Sequence, residues 1–159
     1  MLTAHLPSGY LLARAVRRPV PYLMSAALTG AVLPDLDMLW FGLVDHASVH
    51  HHRYWPHIPL IWAGLALICS AALWRTGYLL TGVVFFAAIF LHLLLDTIAG
   101  GILWGFPFST TLFALVVVPA SQSNWVLSFI LHWTFLLELA VWFMAIAVWF
   151  RPQWGRTAA

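Results

Sequence analysis

The feature that most constrains this fold is a series of apolar runs, since a helix that crosses a bilayer needs about 20 mostly apolar residues. Such runs occupy residues 20–44, 57–74, 78–98 and 125–150, and Pro34 interrupts the first of them. The 159 residues are 63% hydrophobic and only 8% charged. We therefore predict an all-α polytopic membrane bundle, with residues 1–159 forming a single integral membrane domain.

Two further apolar stretches do not read as ordinary spans. Residues 8–18 have a helical pattern but are too short to cross a membrane alone. Residues 100–119 contain glycines, Pro107 and a polar Ser–Thr–Thr sequence. A Gly/Pro-broken stretch at membrane depth needs cover from protein or a water-filled cavity, so we predict an irregular or re-entrant segment beside the functional site. A plain fifth span remains the alternative, giving four to five membrane segments.

The charge distribution predicts an orientation and argues against a nucleic-acid partner. The chain has seven basic residues, all arginines, and its largest basic cluster is Arg14, Arg17 and Arg18, which is too small for a nucleic-acid surface. Under the proposed spans, six arginines share one side, which the positive-inside rule makes cytoplasmic: Arg14, Arg17, Arg18, Arg75, Arg151 and Arg156. The loop at residues 45–56, with Arg53, then faces outward, toward the periplasm of a bacterium.

Four of the five acidic residues lie inside the apolar runs: Asp35, Asp37, Asp96 and Glu138. A carboxylate at the bilayer centre costs about 2.5–3.5 kcal/mol on insertion scales, so it usually pairs with another group and marks a functional site. The helical rise of about 1.5 Å per residue brings four groups to one level in the outer half of the membrane: His5, Asp35, His92 and Glu138. Imidazoles and carboxylates that meet between helices indicate a divalent-metal centre.

Two short motifs carry most of this prediction. His92 and Asp96 are four residues apart, so they share a helix face with Cβ atoms about 5–6 Å apart. They suit a shared metal ion; a buried structural hydrogen bond is the alternative. Pro34 breaks its helix, so Asp35 and Asp37 can turn inward, one as a ligand and the other as its support or as a ligand of a second ion. The alternative is that one of them caps the next helix.

The loop before residue 58 is rich in histidine. We interpret His52 and His57 as metal ligands or acid–base groups, and Arg53 as a clamp for a phosphate or carboxylate, which guanidinium binds in a bidentate manner. The other loop histidines, His46, His50 and His51, are interpreted as polar filler at the membrane surface. On depth, Glu138 is a better site residue than His132, for which an interfacial position with a hydrogen bond to a backbone carbonyl is an equal alternative.

Several motifs in order resemble a known family: Thr3-Ala4-His5, Pro-Asp-Leu-Asp at 34–37, His52-Arg53 with His57, His92 with Asp96, and a Gly-rich stretch with Gly100, Gly101, Gly105 and Pro107. Together they resemble the YdjM-type inner-membrane family of membrane-bound metal-dependent hydrolases, over about residues 3–110. The resemblance implies a helical membrane protein with hydrolase activity. It also implies five metal ligands, with His52 and Arg53 in the adjoining motif: His5, Asp35, His57, His92 and Asp96.

The chain departs from the family pattern between Arg53 and His57. Tyr54-Trp55-Pro56 stands where a small Gly-x-Thr is expected, and Ile58 stands where a serine is common. This departure argues against a hydroxyl group acting there, and indicates a subgroup with a different substrate.

The sequence thus predicts a membrane-embedded, metal-dependent hydrolase of a phosphoester in a lipid or other amphiphile, with Zn²⁺ as the expected ion. The predicted catalytic residues are His52 and Arg53, and the predicted metal ligands are His5, Asp35, Asp37, His57, His92, Asp96 and Glu138. The expected partners are the lipid bilayer and a lipid-like substrate. A divalent-metal or proton transporter, and a non-catalytic membrane protein with a structural metal site, remain alternatives. Haem binding by His92 and His132 is disfavoured, because Asp96 competes beside His92.

Overall fold

Helices account for the regular secondary structure in the described part of the chain, residues 3–46, 48 and 50–151 of a computed structural model. The α-helices are α1 (His5–Ala15), α2 (Leu23–Val32), α3 (Asp37–Leu43), α4 (Pro59–Leu73), α5 (Leu79–Ala99), α6 (Trp125–Ile130) and α7 (Phe135–Trp149). Three 3-10 turns join them, at Pro34–Leu36, His51–Arg53 and Trp55–His57. These residues contain no strand, only one isolated antiparallel bridge between Ile102 and Phe113, so the all-α prediction is confirmed.

Membrane-spanning capacity is concentrated in the middle of the chain. Within the described residues α5 is the one helix long and apolar enough to cross a bilayer alone, and α2 passes the same test together with the segment Pro34–Leu43, at a bend of 48°. Helices α4 and α7 are apolar but 15 residues long each. By length and composition, the described residues thus contain one helix able to span a membrane, or two if the bent pair counts as one span, and the predicted four to five spans are not confirmed.

Helix α5 is the platform of the fold, because α1, α2 and α4 all pack against it. Small residues allow the close approach, as is common between membrane helices. A Cβ on Gly30 of α2 would overlap the carbonyl oxygen of Phe85 in α5, and a Cβ on Gly9 of α1 would lie 2.6 Å from the Cβ of Ala31. These contacts fix how closely α1, α2 and α5 approach one another.

One apolar core cluster lies between α4, α5 and the segment that follows α5. Its buried members are Trp62, Phe86, Ile89, Leu93 and Ile102. The Trp62 indole also donates a hydrogen bond to the carbonyl of Pro56 at 2.7 Å. This bond ties the turn Trp55–His57 to α4, so the core also positions the loop histidines.

The segment between α5 and α6 is irregular, as the sequence predicted. Its backbone pairs with the end of α5: the amide of Leu115 donates to Thr97 at 2.8 Å, and that of Val116 donates to Ile98 at 2.9 Å. The last carbonyls of a helix lack partners within it, so this segment satisfies two of them. The Asn124 side chain caps α6, since it accepts a hydrogen bond from the amide of Val126 at 2.8 Å.

Candidate metal centre

His92 and Asp96 form the centre of the site on α5. Both are buried, with 0% and 1% of their surface exposed, and His92 Nε2 lies 3.0 Å from Asp96 Oδ2. On the other side of the ring, His92 Nδ1 contacts the carbonyl of Ala31 at 2.8 Å. A carbonyl only accepts hydrogen bonds, so Nδ1 carries a proton, and Nε2 is the nitrogen that faces the carboxylates.

Asp35 and His5 complete a four-residue group. Asp35, in the 3-10 turn created by Pro34, places Oδ1 3.6 Å from His92 Nε2. His5, the first residue of α1, places Nε2 3.2 Å from Asp96 Oδ1 and 3.8 Å from Asp35 Oδ2. Each of the four residues, His5, Asp35, His92 and Asp96, offers a ligand atom, and these atoms lie within 4.8 Å of one another. We call them the α5 group.

The α5 group fits a first-row divalent cation. Two imidazoles and two carboxylates are a donor set that suits zinc and its neighbours. Within the described residues, His92 Nε2 is buried and has no hydrogen-bond partner. An unsatisfied buried polar atom costs about 1–3 kcal/mol, a cost that ligation of a cation would remove.

Three loop histidines form a second group beside the first. His52 Nδ1 contacts the carbonyls of Gly100 at 3.0 Å and Gly101 at 2.9 Å. Its Nε2 lies 3.6 Å from Asp96 Oδ2. His57 directs its own Nε2 to the same oxygen at 3.7 Å. One ligand atom from each of His51, His52 and His57 lies within 4.8 Å of the others, and we call these residues the loop histidine group.

The pKa values of two loop histidines shift in opposite directions. Burial lowers the pKa of His52 to about 3, in spite of the charge on Asp96, so its ring is neutral at pH 7 and able to ligate. Burial alone would lower the pKa of His57 as well, but the hydrogen bond to Asp37 and the negative charges of Asp37 and Asp96 raise it to about 9. A cation that binds His57 must therefore displace its proton.

Asp37 contacts the Nδ1 atoms of two loop histidines and so orients their rings. Its Oδ2 accepts a hydrogen bond from His57 Nδ1 at 2.7 Å, and its Oδ1 lies 3.8 Å from His51 Nδ1. A carboxylate on the far nitrogen of an imidazole is the usual support of a metal-bound histidine. Asp37 belongs to neither group of ligand-type atoms, so the geometry favours the supporting role that the sequence had left open.

Glu138 is also apart from both groups. It is fully buried on α7, where it accepts hydrogen bonds from the amide of Thr3 at 2.7 Å and from its hydroxyl at 2.6 Å. Trp142 donates to the same hydroxyl at 3.1 Å. These contacts hold the chain two residues before His5. The structure thus places the Glu138 carboxylate where it anchors the segment that carries a ligand-type residue.

Arg53 and His51 are placed differently from what the sequence indicated. The Arg53 side chain is exposed and does not line the cavity beside the site, so its role as an anion clamp stays a prediction. His51, interpreted as filler, belongs to the loop histidine group. Three consecutive histidines show no periodicity that could have selected it. For His52, the Gly100-Gly101 pair was an available signal, since it follows the predicted apolar run 78–98 and its carbonyls contact the His52 ring.

A cavity of about 730 Å³ opens onto both groups. Asp35, His51 and His52 form part of its lining, and Asp35, with 35% of its side chain exposed, is the most open member of the α5 group. Other parts of the lining are apolar: Met38, Phe41, Val118, Trp125 and Phe129. The ligand-type atoms are thus reached through a space that combines polar and apolar surfaces.

The model of the YdjM inner membrane protein family matches residues 1–157. The chain belongs to this family. YdjM membership confirms the resemblance seen in the motifs and makes the chain an inner membrane protein. It also extends the likeness beyond residue 110, through α6 and α7. No curated protein and no solved structure matches the chain.

Proposed function

We propose that this inner membrane protein is a metal-dependent hydrolase that cleaves a phosphoester of a lipid or another amphiphile. The observation that carries the proposal is the α5 group: three buried residues and the half-buried Asp35, from three segments, converge beside a cavity. We infer Zn²⁺ as the ion, because nitrogen and carboxylate ligands in a compact group suit it.

The proposed ion would be held by His5, Asp35, His92 and Asp96. When bound there, it would lower the pKa of a coordinated water toward about 7 and polarise a phosphoryl oxygen. The Ala31 carbonyl fixes the orientation of the His92 ring before any ion arrives. Asp35 faces the cavity, so a ligand position next to it is accessible to substrate.

The lining of the cavity supports an amphiphilic substrate. Apolar side chains such as Phe41 and Phe129 offer a surface for acyl chains, whereas Gln122 and Ser123 offer hydrogen bonds to a head group. From the distribution of arginines under the predicted spans, we propose that this site lies toward the periplasmic side. We therefore propose that the substrate enters from the outer part of the bilayer.

Loss of His92 tests the proposal. The full chain would be purified in detergent, its metal quantified, and phosphate or head-group release measured with dioctanoyl phosphatidic acid and dioctanoyl phosphatidylglycerol. We expect His92→Ala to lose bound metal and to reduce hydrolysis by more than about 100-fold, which exceeds the effect of losing a supporting residue. His132→Ala is the control, because His132 contacts Thr134 rather than the site. Unchanged hydrolysis in His92→Ala would refute the metal-dependent mechanism.

The two alternatives receive less support from the geometry. A transporter needs ionisable groups along a path through the membrane, whereas both groups of ligand-type residues here contact the same carboxylate, Asp96. A purely structural metal site is closed, whereas catalytic sites keep an open position. The exposure of Asp35 to the cavity favours the catalytic reading. Metal flux into liposomes that contain the protein would favour the transporter instead.

A further inference from the structure

We propose that the loop histidine group, His51, His52 and His57, binds a second divalent cation next to the ion of the α5 group. The protein would then have a two-ion centre. The catalytic meaning of this second ion rests on the proposed function, but its presence does not.

Close packing of three imidazoles is the first argument. The ring centroids of His51 and His52 are 4.0 Å apart, and those of His52 and His57 are 4.5 Å apart. Only 4% of His52 and none of His57 is exposed. One ligand atom from each of the three rings lies within 4.8 Å of the others, so a single cation between the rings could bind all three.

The orientation of the rings is the second argument. The Nδ1 atoms of two rings are held by hydrogen-bond contacts: that of His52 by the carbonyls of Gly100 and Gly101, and that of His57 by Asp37. Their Nε2 atoms then point inward. In the part of the chain that the structure describes, His57 Nε2 is buried and has no hydrogen-bond partner. Such support on the outer nitrogen, with the inner one open, is typical of metal-binding histidines.

The position of Asp96 is the third argument, because this carboxylate lies between the two groups. Its Oδ1 is 3.2 Å from His5 Nε2, and its Oδ2 is 3.0 Å from His92 Nε2 and 3.6 Å from His52 Nε2. A single carboxylate can therefore contact an ion in each group. Paired metal ions that share ligands suit phosphoester hydrolysis, because together they stabilise the attacking and leaving oxygens.

The net charge of two cations and the nearby carboxylates suggests a role for the second ion. Three carboxylates stand next to the two groups: Asp35, Asp37 and Asp96. They do not fully neutralise two divalent cations, so net positive charge remains at the part of the cavity lined by Asp35, His51 and His52. Positive charge in a cleft attracts an anionic substrate. The second ion would thus attract the phosphate, a role the sequence had assigned to Arg53.

Metal stoichiometry tests this proposal directly. The full chain, without a histidine tag, would be saturated with Zn²⁺ in detergent and dialysed, and its zinc per chain measured by mass spectrometry. We expect two ions in the wild type, one in His51→Ala and two in the control His132→Ala. His51 is chosen because 22% of its side chain is exposed, which limits the effect on folding. His51→Gln serves as a second variant. Cobalt loading adds a spectroscopic readout, as the visible absorption of the second ion should disappear in the His51 variants.

Each outcome bears on the proposal. One ion in the wild type would overturn it, and so would two ions in both His51 variants. The hydrolysis assay separates this result from the proposed function. Two ions without hydrolysis of either dioctanoyl lipid would leave the second site standing and contradict the hydrolase. One ion with hydrolysis would do the reverse.

Discussion

Backbone carbonyls orient two of the site histidines. The carbonyl of Ala31 near the end of α2 contacts His92 Nδ1, and the carbonyls of Gly100 and Gly101 after α5 contact His52 Nδ1. Carbonyls in the last turn of a helix lack partners within it. The fold therefore uses helix ends, with no charged side chain, to determine which nitrogen of each ring carries the proton.

Substitution of Gly100 tests this arrangement at His52. A Cβ on Gly100 would overlap Cε1 of the His52 ring. The φ angle of Gly100 is −108°, which alanine adopts readily. Gly100→Ala therefore acts through contacts of the new Cβ, chiefly this overlap and a 3.1 Å approach to the Asp96 carbonyl oxygen. We expect the zinc affinity of the loop histidine group to fall about 10–100-fold, as for loss of other supporting contacts.

A competition titration against a chromophoric chelator measures this change. Gly64→Ala is the matched control, because a Cβ on Gly64 meets no atom within 4 Å. Equal zinc affinities for the two variants would show that the Gly100 contact does not position the histidine.

Asp37→Asn tests whether the carboxylate of Asp37 supports His57 or binds an ion itself. As a support, the variant should keep its full complement of zinc at saturation, with about 10-fold weaker binding at the loop histidine group. In the metal-free chain, the pKa of His57 should fall below about 9, because the charge and hydrogen bond of Asp37 raise it. NMR titration of the imidazole measures the second effect. Loss of one whole ion at saturation would instead make Asp37 a ligand.

How well a site residue could be predicted depended on whether one element determines its direction. His92 and Asp96 were predictable because a helix places residues four apart on one face, and the structure has their side chains 3.0 Å apart. For Glu138, position along the helix predicted its depth in the membrane but not the direction of its side chain. Its partner Thr3 lies 135 positions away in the sequence. His51 belongs to a short turn whose orientation depends on tertiary contacts, so no pattern within the loop could select it.

At the scale of elements, the break after α2 builds one side of the site. Proline has no amide hydrogen and cannot continue the hydrogen bonding of a helix. The chain passes through the 3-10 turn Pro34–Leu36 before α3 begins at Asp37, and this turn directs Asp35 toward α5. The close approach of α2 to α5 at Gly30 brings that break near His92.

Gly30→Val tests the close approach of α2 to α5. The added side chain would overlap the backbone of Phe85. Overpacking typically costs about 1–3 kcal/mol, so we expect the free energy of unfolding in detergent to fall by that amount. Gly64→Val on α4 is the control for the helix propensity of valine, since that position has open space. Similar unfolding free energies for the two variants would contradict the tight packing of α2 on α5.

Helix breaks were predictable where proline or glycine causes them. They were not predictable where only polar side chains interrupt an apolar run. The interruption at Pro34 and the irregular segment after α5 were both foreseeable from proline and glycine. The apolar run 125–150 instead divides into α6 and α7. At the division, His132 Nδ1 contacts the hydroxyl of Thr134 at 2.9 Å. Local side-chain bonds of this kind compete with helical hydrogen bonds, and they leave little trace in hydropathy.

At the scale of the whole molecule, the polar residues are inside and many large apolar ones are outside. His57, His92 and Glu138 have no exposed surface, whereas 83% of Val117 and 73% of Phe143 is exposed. Large apolar areas on a surface mark contact with a membrane or a partner. Together with family membership, this arrangement indicates that lipid surrounds the helices. The polar groups of the site are then separated from lipid by the protein.

Filling the cavity separates substrate binding from metal binding. Ala120 lines the cavity and is exposed, so Ala120→Trp should occupy space that an acyl chain needs while every ligand-type side chain is kept. We expect KM for dioctanoyl phosphatidic acid to rise about tenfold, equivalent to about 1.4 kcal/mol of binding, with zinc content unchanged. Ala147→Trp, on the exposed surface of α7, is the control. If the amphiphile binds in this cavity, KM will be higher for Ala120→Trp than for Ala147→Trp. Equal KM values for the two variants would show that the substrate reaches the ions by another route.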